Sequence, residues 1–501
     1  MVLKRLPICN PEPSSSPHMS RPATFTFPPH AVLTTLLSLA CSACTTAPPS
    51  SIQPPAPPSS VWHNAPSSTT QDWPTAGWWA QFGSPELTRV VHLTLHDNPE
   101  MDAAVARLQQ AEALARQTRS ALLPSVDASL GLSRSRSILS DGESESPSLH
   151  ALGLQTSYEL DLWRRIGNAS AAATARARAT AFDRDGIALT LAASTASAWL
   201  DTMTLHARDT LAKDNLLRAE QILALLVKRG RSGVATPLEI AQQQTLVANQ
   251  RRQQAALAQG SADAQVRLAV LTGRPVAALP LEFVDPAQLT PPSIHAGLPA
   301  GLLTRRPDIA RAEALLAAAN ADVAAARAAL LPRLSLTASL TSAFENPSRL
   351  FDAPLYGLAG TLLAPVFNGG RLAAGRDAAV ADQAALLASY RRTVIAALGD
   401  VERSLAALAG IERQRLAQAQ ELAAARRTTV LSEARYRAGA DSLIVLLDAQ
   451  RNEFAARDTA LQLVQARLQA SLDLYKALGG GWHAPPSASP ETISLLATPT
   501  P

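Results

Sequence analysis

The hydrophobic positions of this chain change their period in a fixed order, and that order is written twice. From Ser84-Pro85-Glu86-Leu87, and again from Asn98-Pro99-Glu100-Met101, apolar residues fall at helical spacing behind a proline suited to the first helical position. After Pro124 the period becomes two: Val126, Ala128, Leu130 and Leu132 alternate with Asp127, Ser129, Gly131 and Ser133. A turn-rich acidic loop, Ser140 to Pro147, follows. Leu152, Leu154, Thr156, Tyr158, Leu160 and Leu162 then alternate with Gly153, Gln155, Ser157, Glu159 and Asp161. The pattern predicts a β-hairpin over 124–163 with one apolar and one polar face. Residues 164–231 contain no proline and few glycines, which predicts one helix on the order of 100 Å long. A break at Gly233-Val234-Ala235-Thr236-Pro237 leads to a return helix over 237–272.

The second half repeats this. Pro99 and Pro124 recur as Pro307 and Pro332 at one offset, with Ala104/Ala312, Leu108/Leu316, Ala111/Ala319, Ala113/Ala321 and Arg119/Arg327 matching between them. A helix from Pro307 delivers a hairpin over 332–367, whose first strand alternates Leu334, Leu336, Ala338 and Leu340 with hydroxyl residues. Its weaker second strand runs from Tyr356 to Phe367. A long helix over 371–437, a turn at Gly439-Ala440-Asp441-Ser442 and a return helix over 443–478 complete the copy. The first repeat thus covers 73–275 and the second 303–482, joined by a proline-rich connector over 276–302, with a disordered tail over 483–501.

Outside the repeats, residues 1–44 look like an export segment: Lys4, Arg5 and Arg21 precede a short apolar run from Ala31 to Ala40. That run is too short to span a bilayer as a helix. It ends in Leu39-Ala40-Cys41-Ser42-Ala43-Cys44, where small residues before a cysteine resemble a bacterial lipobox. Cys44 is the preferred acylation site and Cys41 the alternative; Met19 is a possible true start. Neither candidate cysteine is followed by aspartate, which favours the outer membrane. The Pro/Ser/Thr-rich stretch 45–72 reads as an extended tether that cannot pack a core.

Composition sharpens the picture by exclusion. Aromatics make up 4% of the 501 residues, and long Ala/Leu/Arg/Glu/Gln runs favour long helices over compact α/β layers. A net charge of +4 with scattered arginines lacks the basic footprint of a nucleic-acid binder. The three cysteines all lie near the start, so neither a disulfide framework nor a thiolate metal site is expected. His92 and His96 share metal-clamp spacing but lack a third ligand, and read as polar helix positions. No HExxH, P-loop or G-x-S-x-G is present, so neither a catalytic residue nor a cofactor is expected.

Each strand is about ten residues, the length of a tilted membrane strand. A sheet in lipid must close, because its edge N–H and C=O groups find no other partner. Single-chain barrels need about eight strands, so four per chain imply a barrel shared between chains.

A set of motifs in fixed order carries a family resemblance. They are Trp78-Trp79-Ala80-Gln81-Phe82-Gly83, Tyr158-Glu159-Leu160-Asp161-Leu162-Trp163, Leu303-Thr304-Arg305-Arg306-Pro307-Asp308-Ile309 behind Gly297-Leu298-Pro299, Pro365-Val366-Phe367-Asn368-Gly369-Gly370-Arg371, Tyr436-Arg437-Ala438-Gly439-Ala440-Asp441-Ser442 and Leu478-Gly479-Gly480-Gly481-Trp482. Together they resemble the TolC-type outer-membrane efflux channels, in the NodT/OprM-like lipoprotein branch. The resemblance implies a mainly α homotrimer: long antiparallel helical hairpins form an α-barrel, and four transmembrane strands per chain build a shared twelve-stranded β-barrel. It implies passive export, driven by an inner-membrane transporter through a periplasmic adaptor, in contact with outer-membrane lipid.

The resemblance also assigns periplasmic tips that meet the adaptor, at Arg231, Gly233 and Thr236 and at Tyr436, Arg437, Gly439, Asp441 and Ser442. Where the family often carries two acidic residues after the second tip, this chain has Val445 and Asp448; Glu239 stands at the equivalent place in the first half. Glu239 and Asp448 are therefore the candidate gate, since carboxylate rings at a narrow pore attract cations. Both also read as ordinary solvated or paired helix residues. Family tips often carry a basic residue where Asp441 stands, which puts a tip salt bridge in question. Competing readings are a channel of the same type serving type I protein secretion, and a periplasmic coiled-coil adaptor or scaffold that never enters a membrane.

Overall fold

A computed structural model describes residues 62–63, 73–134, 137–138, 144–145, 148–291, 297 and 299–484. The export segment, both candidate lipobox cysteines, Met19 and nearly all of the expected tail lie outside the described residues. So does most of the expected tether.

The described chain is mostly helical with one small antiparallel sheet. Two short helices, α1 (Pro85–Asp97) and α2 (Pro99–Ser120), lead into strand β1 (Ser125–Arg134). A two-residue pair, β2 (Ser137–Ile138) and β3 (Ser144–Glu145), extends the loop before β4 (Ser148–Leu160). The 67-residue α3 (Arg165–Arg231) and 35-residue α4 (Pro237–Leu271) follow. The second half contains α5 (Pro307–Ala328), β5 (Arg333–Phe344) and β6 (Pro354–Leu363). It ends in α6 (Arg371–Arg437) and α7 (Leu443–Ala477), again of 67 and 35 residues. No helix among the described residues is long and apolar enough to cross a membrane.

Helix lengths follow from breakers. α3 begins after Arg164 in the left-handed conformation, where the Asp161 carboxylate accepts the N–H groups of Ile166 (2.9 Å) and Gly167 (2.6 Å). This accounts for the acidic position of the Tyr158–Trp163 motif: it satisfies first-turn donors that otherwise have no partner. Strand β6 stops at Leu363, short of the Phe367 expected from the sequence. Pro365 supplies no N–H for a ladder and restricts the residue before it.

Two closures set the ends of the return helices. Asn98 accepts from Glu100 N–H (2.7 Å) while its amide donates to the Leu271 carbonyl at the end of α4 (2.7 Å). In the second half Arg306 forks onto Asp308 (3.0 and 2.7 Å), reaches Asp400 (3.3 Å) and donates to the Ala477 carbonyl (3.1 Å) at the end of α7. At each closure a left-handed glycine meets backbone. A Cβ on Gly273 would lie 2.6 Å from the Asp97 carbonyl oxygen, and one on Gly479 would lie 1.8 Å from that of Arg305.

The main core surrounds the first closure. Trp78 stacks on Tyr475 (5.1 Å, 15°), and Phe82, Val90, Trp199, Leu200 and Leu472 fill the remainder. The Tyr475 hydroxyl donates to Gln81 (2.6 Å), and burial pushes its pKa up to about 12. The connector contributes Leu279 and Leu289 to this core, and its Phe283 stacks on His206 at 3.7 Å. A second core gathers Leu302, Ile309, Tyr390, Val394 and Leu478.

Trp62 departs from the expectation of a tether over 45–72. Its indole is buried in the second core and its N–H donates to the Gly297 carbonyl (2.9 Å). One tryptophan carries enough apolar area, with a satisfied N–H, to dock a segment whose composition is otherwise unable to fold.

Gly479→Ala and Gly273→Ala are expected to destabilise the chain by at least ~2 kcal/mol each, from left-handed strain plus backbone overlap. Gly410→Ala, within α6 and with open space around it, is expected to be neutral or to stabilise by about 0.5–1 kcal/mol. Denaturant unfolding followed by helical circular dichroism compares the three.

Candidate functional site

The sheet runs in the order β1-β4-β5-β6, so the two hairpins pair with each other through β4 and β5. Register decides what each face carries, because directly paired residues point the same way. Val126 pairs with Thr156, Leu130 with Leu152, Leu154 with Leu340, Tyr158 with Leu336, Ala338 with Leu358 and Leu334 with Leu362. One face therefore collects the alternating apolar residues of all four strands, interrupted by Thr156 and, towards the loop end, by Arg134, Ser148, His150 and Ser342. The other face carries Ser129, Ser157, Ser335, Thr337, Ser339 and Thr361, with Asp127, Glu159 and Arg333 as its charges. Only Leu149, Leu355 and Leu363 place large aliphatic side chains there.

Nothing among the described residues covers the apolar face. Leu358 is 84% exposed, Val126 67% and Leu362 66%. Every residue of β1 and of β6 is exposed, and each of these strands pairs with only one neighbour. Below the sheet, Trp163 donates to the Pro332 carbonyl (2.7 Å), tying the first hairpin's exit to the second hairpin's entry. Arg165 forks onto Glu159 (3.0 and 2.8 Å) beside it.

At the far ends of the long helices the two tips meet. Leu226 and Leu246 from α3 and α4 pack with Leu443, Leu446 and Leu447 from α7, and Ala235, Ile240 and Tyr436 lean on this cluster. Gly233 and Gly439 take left-handed φ angles of 73° and 74° and turn the two hairpins. Thr236 and Glu239 form a capping box: Glu239 N–H donates to the Thr236 hydroxyl (3.2 Å) and Thr236 N–H to the Glu239 carboxylate (2.8 Å). Pro237 follows at the first helical position. Arg231 and Ser442 are exposed.

The second tip is closed differently. Arg435 forks onto Asp441 (2.6 and 3.0 Å), and Arg437 pairs with Glu433. The tip salt bridge that the acidic residue at 441 put in question is therefore present, made by a partner six positions earlier across the turn. Periodicity could not reveal Arg435, because the pairing depends on the reversal of the chain. Asp448 is exposed and has no hydrogen bond or ion pair among the described residues. His92 lies edge-on to Trp79 (6.0 Å) and His96 pairs with Asp97 (2.6 Å). No group of three potential metal ligands exists among the described residues.

The Arg435 hydrogen bond and charge hold Asp441 below the ordinary carboxylate range. A depressed carboxylate stabilises the folded turn above its unfolded pKa of about 3.9 and loses that contribution as pH falls through the folded value. Hydrogen-exchange protection of the turn amides, corrected for intrinsic rates, is expected to be constant from neutral pH to about pH 5 and to fall below about pH 4. Asp441→Asn is expected to remove that dependence.

The architecture matches known proteins over most of its length. The family model described as outer membrane efflux protein matches residues 90–274 and 298–480. The pyoverdine export outer membrane protein OpmQ of Pseudomonas aeruginosa is 44% identical over 415 residues, covering 81% of this chain and 88% of that protein. The protein of the same name from Pseudomonas putida is 42% identical over 469 residues, covering 92% and 99%. Among solved structures, the open-state MtrE outer membrane channel of Neisseria gonorrhoeae superposes with a TM-score of 0.79 at 29% identity, covering 86% of this chain and 97% of that one. The apolar sheet, the paired long hairpins and these matches together make the chain a member of the outer membrane efflux protein family.

Proposed function

We propose that three copies of this chain close their sheets into one barrel in the outer membrane and their helical hairpins into one tunnel beneath it. The family is one of efflux channels rather than enzymes, and the chain is an outer-membrane channel component of a tripartite efflux system. The observation that carries the proposal is the sheet: four apolar half-faces in common register with two unpaired edges. In lipid those edge groups need partners, and strand β1 of one copy against β6 of the next supplies them. Three copies then contribute twelve strands, within the range of closed outer-membrane barrels. The hydroxyl-rich face would line the lumen and the apolar face would meet lipid.

In this reading the two halves of each chain are copies of one unit. Repetition of the 67- and 35-residue helices favours it. The tips at Arg231, Gly233 and Thr236 and at Tyr436, Arg437, Gly439, Asp441 and Ser442 would meet a periplasmic adaptor, which couples the duct to an inner-membrane transporter. Asp448 is the better gate residue: it is exposed and unpaired, whereas Glu239 is committed to its capping box. Acylation at Cys44, or at Cys41, would fasten the chain to the membrane, with Trp62 docking the segment that follows. Pyoverdine is the first cargo to test, because the OpmQ relatives are named for its export.

Purified protein in planar bilayers is expected to give stepwise conductance, and native mass measurement is expected to give a trimer. Absence of steps, or a monomeric mass, overturns the channel reading. Asp448→Ala is expected to reduce cation preference, read as a reversal potential closer to zero in a salt gradient. An unchanged potential removes only the gate assignment.

Mass measurement of the mature N-terminus tests the anchor. Cys44→Ala is expected to abolish the lipid adduct and Cys41→Ala to leave it. The reverse outcome moves the site to Cys41.

A further inference from the structure

Between the first closure and the tips, α3, α4 and α7 line a partly open cavity of about 550 Å³ that neither the sheet nor the tips explain. Its volume lies within the range of small-molecule sites and has room for more than ten waters at roughly 30 Å³ each. It is not the space of a single bridging solvent molecule.

Three features define its chemistry. First, Asn215 on α3 stands in its wall, 5% exposed, with a side-chain oxygen that has no hydrogen-bond partner and no surface open to the cavity. Buried amide oxygens are seldom left so. Second, three guanidinium groups line it, but only one is neutralised. Arg208 forks onto Asp458 (2.6 and 2.8 Å), whereas Arg252 on α4 touches only the Asn249 amide (3.2 Å) and Arg451 on α7 has no partner among the described residues. Third, Leu246, Leu257 and Phe454 give the same cavity an apolar wall.

We infer that this cavity is a binding site for a small organic anion: a carboxylate or comparable oxyanion carried on an apolar body. Guanidinium groups bind planar oxyanions in bidentate fashion, and two unneutralised ones at one cavity favour an anion over a neutral ligand. The apolar wall favours an organic body over bare phosphate. Because Arg252 and Arg451 come from different helical hairpins, a ligand held by both bridges them. This goes beyond conduction, since a passive duct needs no such site.

The probe is phenylacetate, titrated calorimetrically into the full-length protein in detergent at constant ionic strength, with phenylacetamide and inorganic phosphate as comparisons. Saturable binding of one phenylacetate per chain is expected. Phenylacetamide and phosphate are expected to bind at least tenfold more weakly. Arg252→Gln and Arg451→Gln, both at exposed positions, are each expected to weaken phenylacetate binding at least tenfold. Asn215→Asp, which keeps the shape but adds a negative charge, is expected to do the same. No saturable binding, or binding unchanged by both arginine substitutions, overturns the site. Phosphate binding as tight as phenylacetate overturns the assignment to an organic anion.

Discussion

Each half of this protein depends on one closure, where the end of the return helix is pulled against the start of the half. Asn98 holds the last carbonyl of α4, and Arg306 holds that of α7, with a left-handed glycine packed against backbone beside each. Between those fixed points the chain makes two excursions in opposite directions. α2 and the hairpin go one way; α3 and α4 go the other. α3 alone, at about 100 Å, is long enough to run past both α2, at about 33 Å, and α4, at about 52 Å. Without the closure nothing would relate the position of the sheet to that of the tips. Arg306 suits the second closure because it combines a forked contact to Asp308 and Asp400 with a backbone carbonyl, a geometry that lysine does not provide.

The helical part satisfies its backbone within the chain, but the sheet does not. Its apolar face and its two edges are unsatisfied among the described residues of one copy. That asymmetry is the physical argument for the proposed oligomer: helices can stand beside one another in water, whereas an open apolar sheet can stand neither in water nor in lipid. The polar face is built mainly from hydroxyls and glycine, with few charges. As the lining of the proposed barrel, such a face would present hydrogen-bonding groups without strong electrostatic selection.

Much of this was legible in the sequence because the relevant signals are local. The switch in period at Pro124 and Pro332 marks where helix becomes strand, and proline and glycine mark the helix ends. Alternation assigns each strand residue to its face, since a slip of one residue would turn every leucine to the polar face. What escaped was what the fold brings together from afar. Trp62 lies in a segment whose composition argues against packing, yet its single indole finds the second core. Arg435 reaches Asp441 only because the turn reverses the chain. The cavity at Asn215 needs three helices from both halves, and none of its residues stands out in its own segment. Strand β6 is shorter than its apolar pattern implies, because apolar character continues to Phe367 while the backbone donor needed for pairing is lost at Pro365.

The two tips show how equivalent positions reached the same bend by different means. At the first, Thr236 and Glu239 exchange bonds with backbone N–H groups, so the turn is held by local geometry. At the second, Ser442 makes no side-chain cap, and a guanidinium–carboxylate fork between Arg435 and Asp441 spans the turn instead. A capping box is short-range and little affected by salt, whereas an exposed ion pair weakens as ionic strength rises. The shared leucine cluster joins the tips through Leu443, Leu446 and Leu447. Of the two, the second is the one that the ionic conditions of the surrounding compartment can loosen, and the apolar cluster resists that loosening from the first.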